Sequence, residues 1–248
     1  MNNNNSIETL KPLSKNENFS DFKVGLKLGI PIALGYVPVS FTFGLIAVNG
    51  DIPIWTTIFI SLTNLTSAGQ FVGTNLIING AAFLEIALTT FIINIRYMLM
   101  SLSLSQKVVE NMSLLKRCII AFGITDETFS IASMEKKDIS FSYMIGLITC
   151  PYWGWALGTA LGAITCSVLP EALKNSMGIA LYAMFIAIVV PVAKRSRPAL
   201  VVTFTGIMFS CVFKWAPMLN AISQGWAIII STVLACSIGA FLFPKEDV

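Results

Sequence analysis

The chain contains no histidine. That removes the commonest metal ligand and the commonest side chain for proton transfer near neutral pH. Charge is scarce as well: 12% of the 248 residues are Asp, Glu, Lys or Arg, about half the share of an ordinary soluble domain. The five cysteines (Cys118, Cys150, Cys166, Cys211 and Cys236) form no CxxC pair and sit in or beside apolar segments, so they read as buried membrane residues rather than disulfides or metal ligands. No hydrolase elbow, P-loop, HExxH or dinucleotide fingerprint occurs. These absences argue against an enzyme and imply no cofactor and no metal. The net charge of +3 is small, and the basic residues lie between apolar runs, which speaks of topology rather than nucleic-acid binding.

What is abundant is apolar surface. Hydrophobic residues make up 55% of the chain, and the mean hydropathy is +0.77. A water-soluble domain of this size cannot hide that much. The runs are continuous rather than alternating, which argues against a β-barrel, and a helix needs about 20 such residues to cross a bilayer. The expected fold is therefore all-α: a polytopic helical membrane protein with about 7–8 segments, some broken or re-entrant. Residues 1–22, opening on Met1-Asn2-Asn3-Asn4-Asn5 and polar to about Asp21, are expected to be a disordered cytoplasmic tail, with 23–248 a single membrane domain.

Eight segments can be drawn, at about 24–48, 54–79, 81–104, 118–134, 139–167, 177–193, 198–213 and 221–243. Gly29, Pro31, Gly35 and Pro38 fall within the first, which should kink or break it. Lys11, Lys15, Lys23 and Lys27 place the N-terminus inside by the positive-inside rule. Lys136-Lys137, Lys194-Arg195-Arg197 and Lys245 agree with this if all eight segments span. Lys107, Lys116 and Arg117 then fall outside. The conflict vanishes if the fourth segment dips in and returns, and if the second and third together make one crossing.

Polar groups within hydrocarbon are functional candidates by default. Thr63, Ser67, Gln70 and Thr74 are spaced as one helical stripe, flanked by Asn64 and Asn75. Hydroxyls of this kind serve equally as interhelical glue, but amides in lipid need several partners. Glu85 and Arg96 are 11 residues apart on one helix face, roughly 16 Å, too far to pair; either could also lie at an interface. Asp126 and Glu127 follow Thr125. They read as the capped start of a helix or as a half-helix tip inside the membrane. Gly154, Gly158 and Gly162 recur every four residues and make a face for close helix packing, with Ser231, Ala235 and Gly239 a weaker copy. Trp153 and Trp155 suit an interface.

Four stretches carry a family likeness: Phe43-Gly44-Leu45; Thr66-Ser67-Ala68-Gly69-Gln70-Phe71; Glu85 through Asn94-Ile95-Arg96-Tyr97 into Ser101-Leu102-Ser103-Leu104; and Thr125-Asp126-Glu127-Thr128-Phe129. Over roughly residues 24–193 the chain resembles the AzlC family, the large subunit of two-component branched-chain amino-acid exporters. It departs at Gly69, where the family often has Ser, and at Tyr97, where it often has His. The resemblance implies export of valine, leucine, isoleucine or a similar amino acid such as methionine. It also implies a multi-pass protein of a bacterial plasma membrane and a small AzlD-like membrane partner.

The expected function is a secondary transporter driven by an ion or proton gradient. Asn64, Ser67, Gln70, Asn94 and Arg96 are the expected substrate contacts, with Arg96 on the carboxylate. Glu85, Asp126 and Glu127 are expected to carry the proton or ion, or to meet the ammonium group. A passive channel and a non-transporting scaffold subunit remain the alternatives.

Overall fold

The computed structural model describes residues 15–170, 172, 179, 186, 189–216, 219 and 222–244. Among them the regular structure is helical, with one isolated bridge between Val108 and Ile139. The elements are α1 (Lys15–Asn49), α2 (Ile54–Thr63), α3 (Ser67–Ile78), α4 (Phe83–Ser105), α5 (Leu114–Phe122), α6 (Asp126–Ser133), α7 (Phe141–Thr165), α8 (Arg197–Trp215) and α9 (Gln224–Leu242). The sixth expected segment, 177–193, lies largely outside the described residues. So do residues 1–14 of the expected tail; residues 15–22 belong to α1.

The core is the pair α1 and α7, which run parallel. Gly146 packs on the Phe22 carbonyl at one end, Gly154 on Ala33, Gly158 on Val37 and Gly162 on the Phe41 carbonyl at the other. The glycines of α1 return the arrangement, with Gly25 against Tyr143, Gly29 against Leu147 and Gly44 against Thr159. Side chains on both helices would hold the backbones apart; glycine lets dispersion contacts form along the whole length. Pro31 and Pro38 sit inside α1 without interrupting it, so the expected break is not there. The first helix is continuous and is clamped by its neighbour.

The breaks fall instead in the second and fourth expected segments. The second divides at Asn64-Leu65-Thr66 into α2 and α3, of 10 and 12 residues, each too short to span. The two halves fold back on each other's direction. Gly50, at the end of α1, meets Ile78, at the end of α3, while Tyr152 and Thr159, in the middle of α7, bond Leu62 and Ser61 at the end of α2. The α2–α3 hairpin thus enters and leaves at the same end. The fourth segment divides at 123–125 into α5 and α6 and does the same from the opposite end: the Lys107 ammonium donates to the Ser133 carbonyl at 2.5 Å. Each hairpin is followed by a long helix, α4 or α7, so the second unit repeats the first upside down.

This resolves the charge conflict. Ser140 donates to Asp21 at 2.6 Å, and Ile139 bonds the backbone of Lys107 and Val109. Lys23, Lys27, Lys107, Lys116, Arg117, Lys136 and Lys137 therefore gather at one end of the bundle. Among the described residues four helical stretches are long and apolar enough to cross a membrane: Phe19–Asn49, Phe83–Ser105, Arg197–Trp215 and Gln224–Leu242. To these α7 adds 25 uncharged residues. The expected seven or eight segments included broken or re-entrant ones, and the segments drawn at 54–79 and 118–134 are the two that divide into hairpins.

Candidate functional site

The two hairpin tips meet near the middle of the bundle. A half-helix starting there leaves backbone N–H groups unpaired and carries partial positive charge at its first turn. Two such starts converge, α3 at Ser67 and α6 at Asp126. The α6 start is fixed by a reciprocal cap. The Thr128 amide donates to Thr125 Oγ1 at 3.3 Å, and the Thr125 amide donates to Thr128 Oγ1 at 2.8 Å.

Around them Tyr36, Leu65, Ser67, Tyr97, Thr125, Asp126, Glu127 and Trp155 line a cavity of about 10 Å³, room for about one water. Arg96 and Asp126 form an ion pair at 2.9 Å, with 40% and 33% of their side chains accessible. The guanidinium also lies over the Tyr97 ring at 5.2 Å from its centroid. The Tyr36 hydroxyl donates to Glu127 Oε2 at 2.5 Å and stands 2.8 Å from Thr125 Oγ1. Arg96 Nε and Asn94 Oδ1 are buried without a hydrogen-bond partner among the described residues, so both retain capacity for a ligand. Asn94 rests on the first turn of α3, where a Cβ at Gly69 would come within 2.7 Å of both its amide atoms and of Thr66 Oγ1. The glycine at 69 is what allows α4 to sit this close.

Of the expected substrate contacts, Ser67, Asn94 and Arg96 come together here. Asn64 forms the α2–α3 tip, its side-chain oxygen accepting from Thr66 Oγ1 at 3.1 Å. Gln70 does something different. It is 2% exposed, donates from Nε2 to the Asn64 carbonyl, and accepts at Oε1 from Ser61 and from the Trp155 indole, each at 3.1 Å. Since Ser61 spends its proton on Gln70, Thr159 donates to Ser61 across 2.8 Å. Gln70 is thereby bonded at both ends of its amide and ties the α2–α3 hairpin to α7. The supposed stripe Thr63–Ser67–Gln70–Thr74 is not one helix face, because the helix ends at Thr63 and restarts at Ser67.

Asp126 and Glu127 are both in the site. Glu85 is not: it lies three turns away along α4 and is 6% exposed. It accepts from Ser223 Oγ at 2.5 Å and from the Gly225 amide at 2.8 Å, so it caps the start of α9 from a neighbouring helix. Gly154, Gly158 and Gly162 sit on the α1–α7 contact described above. Trp155, expected at an interface, is 1% exposed and stacks edge-on to Tyr36 at 5.3 Å. The cysteines are all free; Cys118 and Cys236 lie on the outer surface of their helices, Cys236 within the candidate span Gln224–Leu242.

Sequence reasoning missed Tyr36, Leu65 and Trp155 as site residues. A signal was present: Tyr36, Ser67, Arg96, Asp126 and Trp155 recur about every thirty residues, once per crossing or hairpin tip. Among the described residues no group of His, Cys, Asp and Glu is placed to hold a metal.

Comparison with known proteins identifies the family. The family model described as AzlC protein matches residues 31–169, the span from mid-α1 through α7 that builds the site. The chain is 30% identical over 183 residues to the inner membrane protein YgaZ of Escherichia coli (strain K12), covering 71% of this chain and 75% of that one. It is 29% identical over 172 residues to an uncharacterized membrane protein of Archaeoglobus fulgidus, covering 68% and 75%. No solved structure matches. The chain belongs to the AzlC family of membrane proteins.

Proposed function

We propose that this protein is a secondary transporter exporting small amino acids with apolar side chains, of the valine, leucine, isoleucine and methionine type, together with a small AzlD-like membrane partner. The observation that carries the reading is the convergence of two half-helix starts on the Arg96–Asp126 pair. Discontinuous helices meeting at mid-membrane are how many transporters present backbone N–H groups to an anionic substrate. The free Arg96 Nε and the N–H groups at Ser67 suit a carboxylate. Asp126 and Glu127 suit an ammonium group or a transported proton. The chain's resemblance to the AzlC family, the large subunit of two-component branched-chain amino-acid exporters, supports the substrate class.

The cavity as it stands is too small for any amino acid, so the described arrangement is an occluded state, and at least one hairpin tip has to move for the substrate to enter. A carrier of this kind exchanges substrate saturably. The test is counterflow of labelled valine, leucine, isoleucine and methionine in proteoliposomes, with and without the small partner, under imposed pH gradients. Saturable exchange of one of them is the expected result, and partner dependence defines the functional unit. No exchange under any condition would remove the branched-chain assignment.

A further inference from the structure

Among the residues described around the central site, Arg96 supplies one positive charge, and Asp126 and Glu127 supply two negative ones. Asp126 already holds the guanidinium, at 2.9 Å. Glu127 has no cationic partner among the described residues. What it has is the Tyr36 hydroxyl, 2.5 Å from Oε2. That hydroxyl carries one proton and stands within bonding distance of two acceptors, Glu127 Oε2 and, at 2.8 Å, Thr125 Oγ1. It can serve one of them at a time. While Glu127 is charged, the Tyr36 proton belongs on the carboxylate, where the bond is charge-assisted. Once Glu127 is protonated on Oε2, the acid donates to the Tyr36 oxygen, and the Tyr36 proton turns to Thr125 by rotation about its own C–O bond. Glu127 and Tyr36 stay bonded in both states, and no heavy atom has to move. Protonating Asp126 instead would leave the Arg96 charge unbalanced.

We propose that Glu127 is the proton-carrying group of the transport cycle and Tyr36 the residue that positions it, with protons exchanged for substrate one for one. The empty site sets two carboxylates against one guanidinium. That net negative charge is costly inside a membrane, and a proton on Glu127 removes it. An arriving amino acid brings its carboxylate to Arg96 and its ammonium to Asp126, beside Glu127. A positive charge there favours an ionised carboxyl group, so the proton leaves to the cytoplasm as substrate binds. A proton from the outer side replaces it once substrate is released. The carboxyl O–H is the bond broken and remade, and an inward proton gradient drives export. The ionisable groups facing Glu127 are Tyr36 on α1, Arg96 and Tyr97 on α4, and its neighbour Asp126. From α3 and α7 the site receives Ser67 and Trp155, neither of which titrates. This inference rests on the transport reading above.

The test uses the full chain in proteoliposomes, reconstituted with the small partner, and labelled valine. With the lumen more acidic than the medium, valine should accumulate inside, and a trapped pH dye should report proton efflux in proportion. Glu127→Gln, fixed in the uncharged state, is expected to abolish both, while saturable valine counterflow at equal pH survives. Asp126→Asn is expected to abolish counterflow itself. Tyr36→Phe removes the hydroxyl and keeps the ring against Trp155. It deprives the charged form of Glu127 of its donor, so at a fixed gradient the pH of half-maximal accumulation should rise by about one unit. Loss of a merely structural contact would not move that profile. Accumulation with proton movement persisting in Glu127→Gln would overturn the proposal. Loss of counterflow in a folded Glu127→Gln protein would do the same, by making Glu127 a substrate contact. So would a Tyr36→Phe profile that coincides with that of the unaltered protein, and this comparison decides the matter if Glu127→Gln fails to fold. If the unaltered protein exchanges valine without moving protons, the proton assignment fails while the transport reading stands. If it exchanges none of valine, leucine, isoleucine and methionine, the transport reading itself fails and takes this inference with it.

Discussion

Arg96 and Asp126 neutralise each other at 2.9 Å near the middle of the bundle. The value of the pair lies in what happens when one partner is engaged elsewhere. Asp126→Asn removes the charge while keeping shape, and is expected to abolish export of preloaded valine from cells while the protein accumulates in the membrane at its normal level. Full activity would remove Asp126 from the mechanism. Gln70 is expected to behave in the opposite way. Gln70→Ala strands the donors of Ser61 and Trp155, at about 1–3 kcal/mol for each buried group left unpaired, and should lower the thermal midpoint of the purified protein clearly. Ser67→Ala, at the same tip, should leave the midpoint nearly unchanged and impair transport. Residue by residue, the charged groups were legible because charge inside an apolar run is conspicuous. Tyr36 and Trp155 were not, because an aromatic in such a run looks like any other core residue. Glu85 was misplaced because its partners, Ser223 and Gly225, lie some 140 residues further on, beyond the reach of any local pattern.

At the scale of elements, glycine positions divide into two kinds. A Cβ at Gly162 would fall on the Phe41 carbonyl, whereas one at Gly206 meets only the Ala235 methyl, at 3.7 Å. Gly162→Ala is therefore expected to force α1 and α7 apart and lower stability. Gly206→Ala should gain up to about 1 kcal/mol from helix propensity alone. Thermal unfolding of the two variants side by side checks the contrast, and equal losses would contradict it. The long helices could be read from hydropathy, and the four-residue glycine spacing pointed to close packing. The helix breaks could not. The prolines of α1 suggested an interruption where the helix continues, since a transmembrane helix pressed against a partner tolerates the missing bond. The true interruption at Asn64-Leu65-Thr66 contains neither proline nor glycine. It is accompanied by the Gln70 side chain bonding the Asn64 carbonyl and by Tyr152 bonding the Leu62 carbonyl from α7, contacts that helix propensity does not report.

For the molecule as a whole, the inverted hairpins fix which loops share a face. Cysteines placed at Asn79 and at Glu110 in an otherwise cysteine-free protein are expected to label from opposite sides of the membrane, the first in intact cells and the second only after permeabilisation. Labelling of both in intact cells would overturn the arrangement. The number of true crossings was obscured in the sequence because a hairpin of two half-helices and a single span have the same length and the same composition. Only the surplus of positive charge around Lys107, Lys116 and Arg117 hinted at the difference. The parallel pairing of α1 and α7 also constrains biosynthesis. The two helices are separated by three intervening segments, and α7 is complete only after roughly 120 more residues than α1. At about 5–20 residues per second, α1 leaves the ribosome some ten seconds before the helix that covers it. During that interval its Gly25, Gly29 and Gly44 backbone and its Tyr36 hydroxyl must be sheltered by something other than their final neighbour, which makes the nascent first helix the natural client of the insertion machinery.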